Sequence, residues 1–218
     1  MSFKERLLEI PLTYRLWQAP FARPKLAPVL ASNDLGRVRR VLDVGCGPGT
    51  NAALFQHAEY LGLDFNPAYI ASARRRFKGR FVVADVTTYS AETEERFDFI
   101  LVNSVLHHVG DADAALVLSS LERLLSPDGH VHVLDLVLPD HACLARTMAR
   151  WDRGHHARSL ERWTALFEAH FDLVRFQPYG ITALGARLWN MVYFDGRARS
   201  GSPQAPASPA ATATSTPR

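Results

Sequence analysis

Apolar residues along this chain fall into short runs that each stop abruptly at a polar or glycine-rich position. Val41–Val44, Tyr60–Asp64, Phe81–Val86, Phe97–Asn103 and His130–Leu136 are such runs, of a length that suits strands buried on both faces. Between them the period changes. Val117, Leu121, Leu124 and Leu125 stand at i, i+4, i+7 and i+8, which marks one apolar face of a helix. Strand and helix alternate five times, and that order predicts an α/β fold with a doubly wound, mostly parallel sheet and helices on both faces. Further on, Leu160, Trp163, Leu166, Phe167 and Phe171 form another helical stripe, and Leu173–Phe176 and Leu188–Phe194 read as closing strands.

Three stretches lie outside this alternation. Residues 1–37 carry Leu7, Leu8, Leu12, Leu16 and Trp17 interrupted by Pro11, Pro20, Pro24 and Pro28, so short helices broken by turns are expected there as an N-terminal cap. The main domain is placed at 38–197. Within it, 138–158 reads as an insertion dense in Arg146, Arg150, Trp151, Asp152, Arg153, His155, His156 and Arg158. The tail, 198–218, is rich in Ser, Pro, Ala and Thr; with almost no large apolar side chain it cannot offset its ordering entropy, and disorder is expected.

The most informative run is Val41-Leu42-Asp43-Val44-Gly45-Cys46-Gly47-Pro48-Gly49-Thr50. It is a buried strand feeding a glycine turn, with a helix expected from Thr50, and such a turn lets backbone approach a ligand closely. A dinucleotide fingerprint would read G-x-G-x-x-G; here the glycines are 45, 47 and 49 and Thr50 replaces the third. Asp43 would repel a pyrophosphate but suits an ammonium. Two more carboxylates close strands: Asp64, nineteen residues beyond Gly45, and Asp85.

An acidic residue followed by G-x-G-x-G resembles motif I of the class I S-adenosylmethionine-dependent methyltransferases, and the resemblance spans roughly residues 38 to 195. It implies S-adenosyl-L-methionine as cofactor and S-adenosyl-L-homocysteine as product. It also implies a seven-stranded sheet with one antiparallel member. Cofactor contacts would come from Asp43 and the turn of Gly45, Gly47 and Gly49. Asp64 would bind the ribose hydroxyls, Asp85 the adenine amino group, and the Val86 N–H the ring, while Asn103 would line the pocket. Ser104–Val109 resembles the motif IV region beside the transferred methyl, so His107 and His108 are the candidate general bases. In related enzymes N-terminal helices cover the site, which makes Tyr14 and Trp17 candidate acceptor residues, with Asp135 at the end of the fifth strand. Arg150 and Arg153 could clamp an acidic acceptor through paired hydrogen bonds, although exposed arginines paired with nearby acids would give the same sequence.

Composition narrows the function. At 218 residues with 47% hydrophobic content the chain can bury one sizeable core, and no run approaches the roughly 20 apolar residues of a membrane span. Two cysteines, Cys46 and Cys143, give no disulfide framework; with no signal-peptide pattern, the cytosol is the expected compartment. The formal charge is +3, and Arg74-Arg75-Arg76-Phe77-Lys78-Gly79-Arg80 is strongly basic. That run sits on a helix away from the expected acceptor, and N-P-P-Y is missing from the motif IV region. A small-molecule acceptor is therefore favoured over nucleic acid or protein. Nine histidines include His130 and His132 on one strand face, but with no supporting cysteine pair or H-x-x-x-H helix no metal is expected. The alternatives are an RNA or protein methyltransferase, a non-catalytic cofactor-binding partner subunit and, since Asp64 could hold another ribose, an NAD-dependent oxidoreductase. Oligomeric state and the acceptor atom are not specified by these features.

Overall fold

The structure, a computed structural model, describes residues 21–141, 146–147, 156–183 and 185–199. Tyr14, Trp17, Arg150 and Arg153, most of the arginine-rich insertion and the tail beyond Arg199 lie outside the described residues. In chain order the elements are α1 (Ala22–Ser32), β1 (Arg40–Val44), β2 (Glu59–Asp64), α2 (Pro67–Arg76), β3 (Arg80–Val83) and α3 (Val86–Glu92). They continue with β4 (Phe97–Asn103), α4 (Asp111–Leu124), β5 (Leu125–Val137), α5 (Leu160–Glu168), β6 (Phe171–Ala183) and β7 (Ala186–Ala198). Short 3₁₀ turns cover Leu35–Arg37, Thr50–Leu54 and Leu106–His108.

The seven strands form one sheet in the order β3-β2-β1-β4-β5-β7-β6. Strands β1 to β5 pair in parallel, and β7 runs antiparallel to both β5 and β6. This is the doubly wound sheet with one reversed member. The chain steps outward from β1 to β3 on one side and from β4 onward on the other, so the order reverses between β1 and β4. The carboxyl ends of the strands at such a switch point are the place where open α/β sheets bind ligands.

Alternation along the strands divides the core. Leu42, Val44, Leu61, Leu63, Ile100, Val102, Val131 and Val133 point to one face, where Leu118 and Leu121 of α4 and Trp163 and Phe167 of α5 cover them. Val41, Tyr60, Phe81, Phe99, Leu101, Leu134 and Tyr193 point to the other, covered by Leu26 and Val29 of α1 and by Ile70 and Ala73 of α2. Asp43 lies between Val41 and Gly45 in sequence and shares the second face. Helix starts follow local chemistry: Asn66 caps α2 by accepting from Ala68 and Tyr69 N–H, with Pro67 in the first turn.

Several expectations are corrected. The helix expected from Thr50 is only the five-residue 3₁₀ turn Thr50–Leu54. The apolar stripe at 117–125 ends as a helix at Leu124, and Leu125 already begins β5. Pro24 and Pro28 do not break the N-terminal segment where α1 is described: Pro24 sits in the first turn, whose N–H groups have no helical partner, and the helix runs through Pro28. The closing strands are 13 residues each, longer than their apolar cores suggested, because they pair with one another across a tight connection.

Candidate cofactor and acceptor site

At the carboxyl edge of β1 the three glycines all adopt left-handed backbone, with φ of 69°, 56° and 81° at Gly45, Gly47 and Gly49. The turn is pinned by Gly45 and Cys46 N–H groups donating to the Leu63 carbonyl at 2.8 and 3.0 Å. At two of the glycines space is also short. A Cβ on Gly45 would lie 2.5 Å from Val105 Cγ2, and one on Gly49 would lie 2.9 Å from both Ala73 and the Phe81 ring. Gly47 differs, because a Cβ there would meet nothing within 4 Å. The space a side chain would take there, at the crest of the turn, is open.

Asp43, beneath this turn, is 1% exposed. Its Oδ2 accepts from Tyr60 Oη at 2.5 Å and from Asn51 Nδ2 at 3.1 Å, while Oδ1 is buried with no hydrogen-bond partner among the described residues. Burial pushes the carboxyl up to about 7 against the pull of the Tyr60 and Asn51 hydrogen bonds. Asp64 closes β2, where Oδ2 accepts from Gly47 N–H and Oδ1 from Asn66 N–H, each at 2.8 Å. Burial raises its pKa, and those two N–H groups moderate the rise. One carboxylate thus ties the crest of the glycine turn to the start of α2. Asp85 caps α3, accepting on Oδ1 from Thr87 N–H and Thr87 Oγ1. Val86 is the first residue of that helix, so its N–H is among the donors that lack an intrahelical partner.

Asn103 ends β4 and accepts from Ser104 Oγ at 3.2 Å. Ser104 is the one non-glycine residue with positive φ among the described residues, at 58°. His107 and His108 follow in a 3₁₀ turn with ring centroids 4.0 Å apart, but their environments differ. His107 is 3% exposed and its Nδ1 lies 2.6 Å from Asp135 Oδ1; His108 is only half-buried. Asp135 itself is fully buried and also accepts from Leu106 and Leu136 N–H at 2.8 and 2.7 Å. The sequence nominated Asp135 for the acceptor and His107 for proton removal. The structure joins the two through His107 Nδ1 and sets Asp135 against the backbone N–H groups of Leu106 and Leu136.

The arginine-rich insertion resolves partly in favour of pairing. Arg158 is 3% exposed. It donates to Asp111 Oδ1 and to the Leu106 and Val109 carbonyls at 2.7–2.8 Å, and its guanidinium lies 4.8 Å from the Trp163 ring centroid. Arg162 joins Asp111 from the solvent side, and together these partners hold the Asp111 carboxyl below the usual range. Arg146 donates to the Pro139 and Asp140 carbonyls. Arg158 thus fastens the histidine turn to α4. Replacing it with Met is expected to lower unfolding stability by about 2–3 kcal/mol, since two buried carbonyls lose charged donors. Urea unfolding checks this; a change under about 0.5 kcal/mol would show that the clamp contributes little.

The basic run behaves as a solvated face with local partners. Arg74 donates to the Phe81 carbonyl, and Arg80 pairs with Glu95. His130 and His132 stand lower on β5, where Asp195 joins them with candidate ligand atoms within 4.8 Å of one another. Hydrogen bonds occupy most of this cluster: His130 Nδ1 lies 2.7 Å from Asp195 Oδ1, Arg197 Nε donates to His130 Nε2 at 2.8 Å, and His132 Nδ1 lies 3.0 Å from Tyr193 Oη, while His132 Nε2 is buried with no partner among the described residues. A guanidinium on the far nitrogen of His130 disfavours a second cation.

Sequence reasoning missed Asn51, Tyr60, Lys25 and Ser104 at this site. Tyr60 was legible in part, because its position on β2 puts it on the same face as Asp43 once the register Val41↔Tyr60 is known.

The chain is similar to known methyltransferases. Residues 41–129 match the family model described as a methyltransferase domain. The chain is 38% identical over 136 residues to the trans-aconitate 2-methyltransferase of Methylobacterium radiotolerans, an overlap covering 60% of this chain and 49% of that protein. With the enzyme of the same name from Escherichia fergusonii it shares 31% over 174 residues, covering 75% and 65%. The chain therefore spans about half to two thirds of the length of these relatives. Among solved structures it resembles the N-methyltransferase NodS from Bradyrhizobium japonicum, determined with S-adenosyl-L-homocysteine. The TM-score is 0.67 at 21% identity, covering 90% of this chain and 97% of the other. It also resembles the mitomycin 7-O-methyltransferase MmcR, with a TM-score of 0.68 at 21% identity, covering 91% and 61%.

Proposed function

We propose that this chain is a class I S-adenosylmethionine-dependent methyltransferase that transfers a methyl group from S-adenosyl-L-methionine to a small organic acceptor. The observation that carries the reading is the pairing of an open turn crest at Gly47 with a buried, half-satisfied carboxylate at Asp43. A cationic amino group would complete the hydrogen bonding of Asp43 Oδ1. Asp64 and Asp85 stand at the next two strand ends, where a ribose and a base can follow. These residues fit a nucleoside joined to an amino acid better than a dinucleotide, whose pyrophosphate would meet Asp43.

The bound cofactor supplies a sulfonium methyl that is already electrophilic. What the chain adds is alignment and exclusion of water, and positioning alone can supply roughly 7–11 kcal/mol of barrier reduction. Polycarboxylic acids are the acceptors to test first, because the similar curated proteins are named for trans-aconitate. A carboxylate acceptor also accords with the state of His107. Carboxylates are ionised at neutral pH, so a carboxylate acceptor would require no base, and His107 with Asp135 would then serve to hold the turn.

Calorimetric titration with S-adenosyl-L-methionine, S-adenosyl-L-homocysteine and NAD is the direct test. Micromolar binding of the first two and none of NAD is expected, followed by S-adenosyl-L-homocysteine formation when trans-aconitate or related acids are added. Binding of NAD alone would overturn the reading.

A further inference from the structure

The three carboxylates at the strand ends leave one charge of the cofactor unanswered. Its amino-acid end is a zwitterion, and Asp43, Asp64 and Asp85 can receive an ammonium, hydroxyls and an amino group but not a carboxylate. A carboxylate brought to these strand ends without a cation would face like charge and lose solvent. The structure brings a cation to that corner from outside the sheet.

Lys25, in the second turn of α1, places its Nζ 3.2 Å from Ser104 Oγ across 79 residues of sequence. Its own position is fixed, since Tyr179 Oη donates to the Lys25 carbonyl at 2.7 Å. Asn33 at the end of the same helix donates to Tyr193 Oη at 3.1 Å. Ser104 is held as firmly. Its N–H donates to the Leu134 carbonyl at 2.8 Å, and its left-handed backbone turns the chain so that Val105 abuts Gly45 of the glycine turn. Left-handed backbone is unfavourable for a serine, so this corner is kept against a local preference. Lys25, Ser104 and the glycine turn therefore meet at the switch point between β1 and β4.

We propose that the Lys25 ammonium, with Ser104 beside it, binds the carboxylate of the cofactor's methionine moiety. Asp43 takes the ammonium of the same zwitterion. This rests on the methyltransferase reading above. It gives α1 a part in binding the cofactor as well as covering the sheet, and it makes the amino-acid end the portion of the ligand that α1 recognises.

The test compares two ligands that differ only in that end. Wild-type protein and the K25Q and K25R variants are titrated with S-adenosyl-L-homocysteine and with 5′-methylthioadenosine, a nucleoside thioether that lacks the amino acid. K25Q is expected to weaken S-adenosyl-L-homocysteine about ten- to hundredfold, the range for one charged hydrogen bond. Methylthioadenosine affinity should stay within about twofold, and K25R should recover most of the loss. Parallel weakening of both ligands would mean that Lys25 acts only by holding α1, and would overturn the proposal. Unchanged S-adenosyl-L-homocysteine affinity with a raised acceptor KM would overturn it in favour of an acceptor anchor. If wild-type protein bound neither ligand, the methyltransferase reading itself would fall, an outcome separate from any effect of Lys25.

Discussion

Replacing Asp135 with alanine is expected to destabilise the protein by about 3–5 kcal/mol, the usual cost of removing one member of a buried charged network. The residue is fully buried and answers three donors: the N–H groups of Leu106 and Leu136 and the His107 ring. Burial by itself would raise its pKa; the adjacent His107 and the backbone donors outweigh it and hold the carboxyl below its ordinary value. The sign of the pH dependence follows. A depressed folded-state pKa contributes stability that is fully present above the unfolded value of about 3.9 and is lost as pH falls through the folded one. The difference between wild type and Asp135→Asn should therefore be constant from neutral pH down to about 5 and shrink in acid. Urea unfolding at pH 7 and pH 3 measures both. An alanine variant within about 1 kcal/mol of wild type would show that the turn holds itself without this carboxylate.

The consequence reaches the site. Leu106–His108 is a 3₁₀ turn of three residues, too short to persist on its own hydrogen bonds. Asp135 holds it from β5, Arg158 holds its Leu106 carbonyl, and the His156 N–H donates to the His107 carbonyl. The half-buried His108 and the Ser104–Val105 corner are continuous with that turn, so on the proposed function loosening it is expected to disturb acceptor positioning before any chemistry is touched.

What was legible in the sequence was whatever depends on neighbours along the chain. Five strands could be found because buried parallel strands are short apolar runs, and the glycine turn because left-handed backbone selects glycine. Pairings between distant residues were not legible. Asp135 and His107 were each singled out, yet nothing in a separation of 28 residues says that they satisfy one another. Arg158 reads as one of a row of cationic residues until Asp111, 47 positions away, is seen beside it. The helix expected at Thr50 fails for a similar reason. Asn51 turns its side chain down to Asp43, and the Phe55 N–H bonds back to the Ala52 carbonyl, ending the turn after five residues. β6 was underestimated because it is an edge strand whose residues from Asp172 to Arg175 are exposed, which removes the apolar continuity that marks an interior strand.

Asp43→Asn should separate stability from binding more sharply than any other change. The wild-type carboxyl is raised to about 7, chiefly by burial, so above that pH the ligand-free protein carries an ionised group it would rather hold neutral. A raised folded-state pKa gives a contribution that is fully present below the unfolded value of about 3.9 and is lost as pH rises through 7. Asparagine, neutral throughout, avoids that loss. The ligand-free variant is expected to melt higher than wild type at pH 8 and to lose that advantage at pH 4. Cofactor affinity should move the other way, because the ammonium would lose its anionic partner. One charged hydrogen bond together with the charge itself amounts to about 2–3 kcal/mol, or about a hundredfold in Kd. Wild-type binding should also weaken about fifteenfold between pH 7 and pH 5.5 as Asp43 takes up its proton, whereas the Asn variant should show a flat profile over that interval. Above about pH 8 the ligand's own amine begins to lose its charge, which is why the comparison belongs below 7. Calorimetry at the two pH values, beside melting curves of the ligand-free proteins, decides the matter. Equal slopes in wild type and variant would move the ammonium to another partner, and a variant less stable than wild type at pH 8 would show that the Tyr60 and Asn51 hydrogen bonds outweigh the cost of burying the charge.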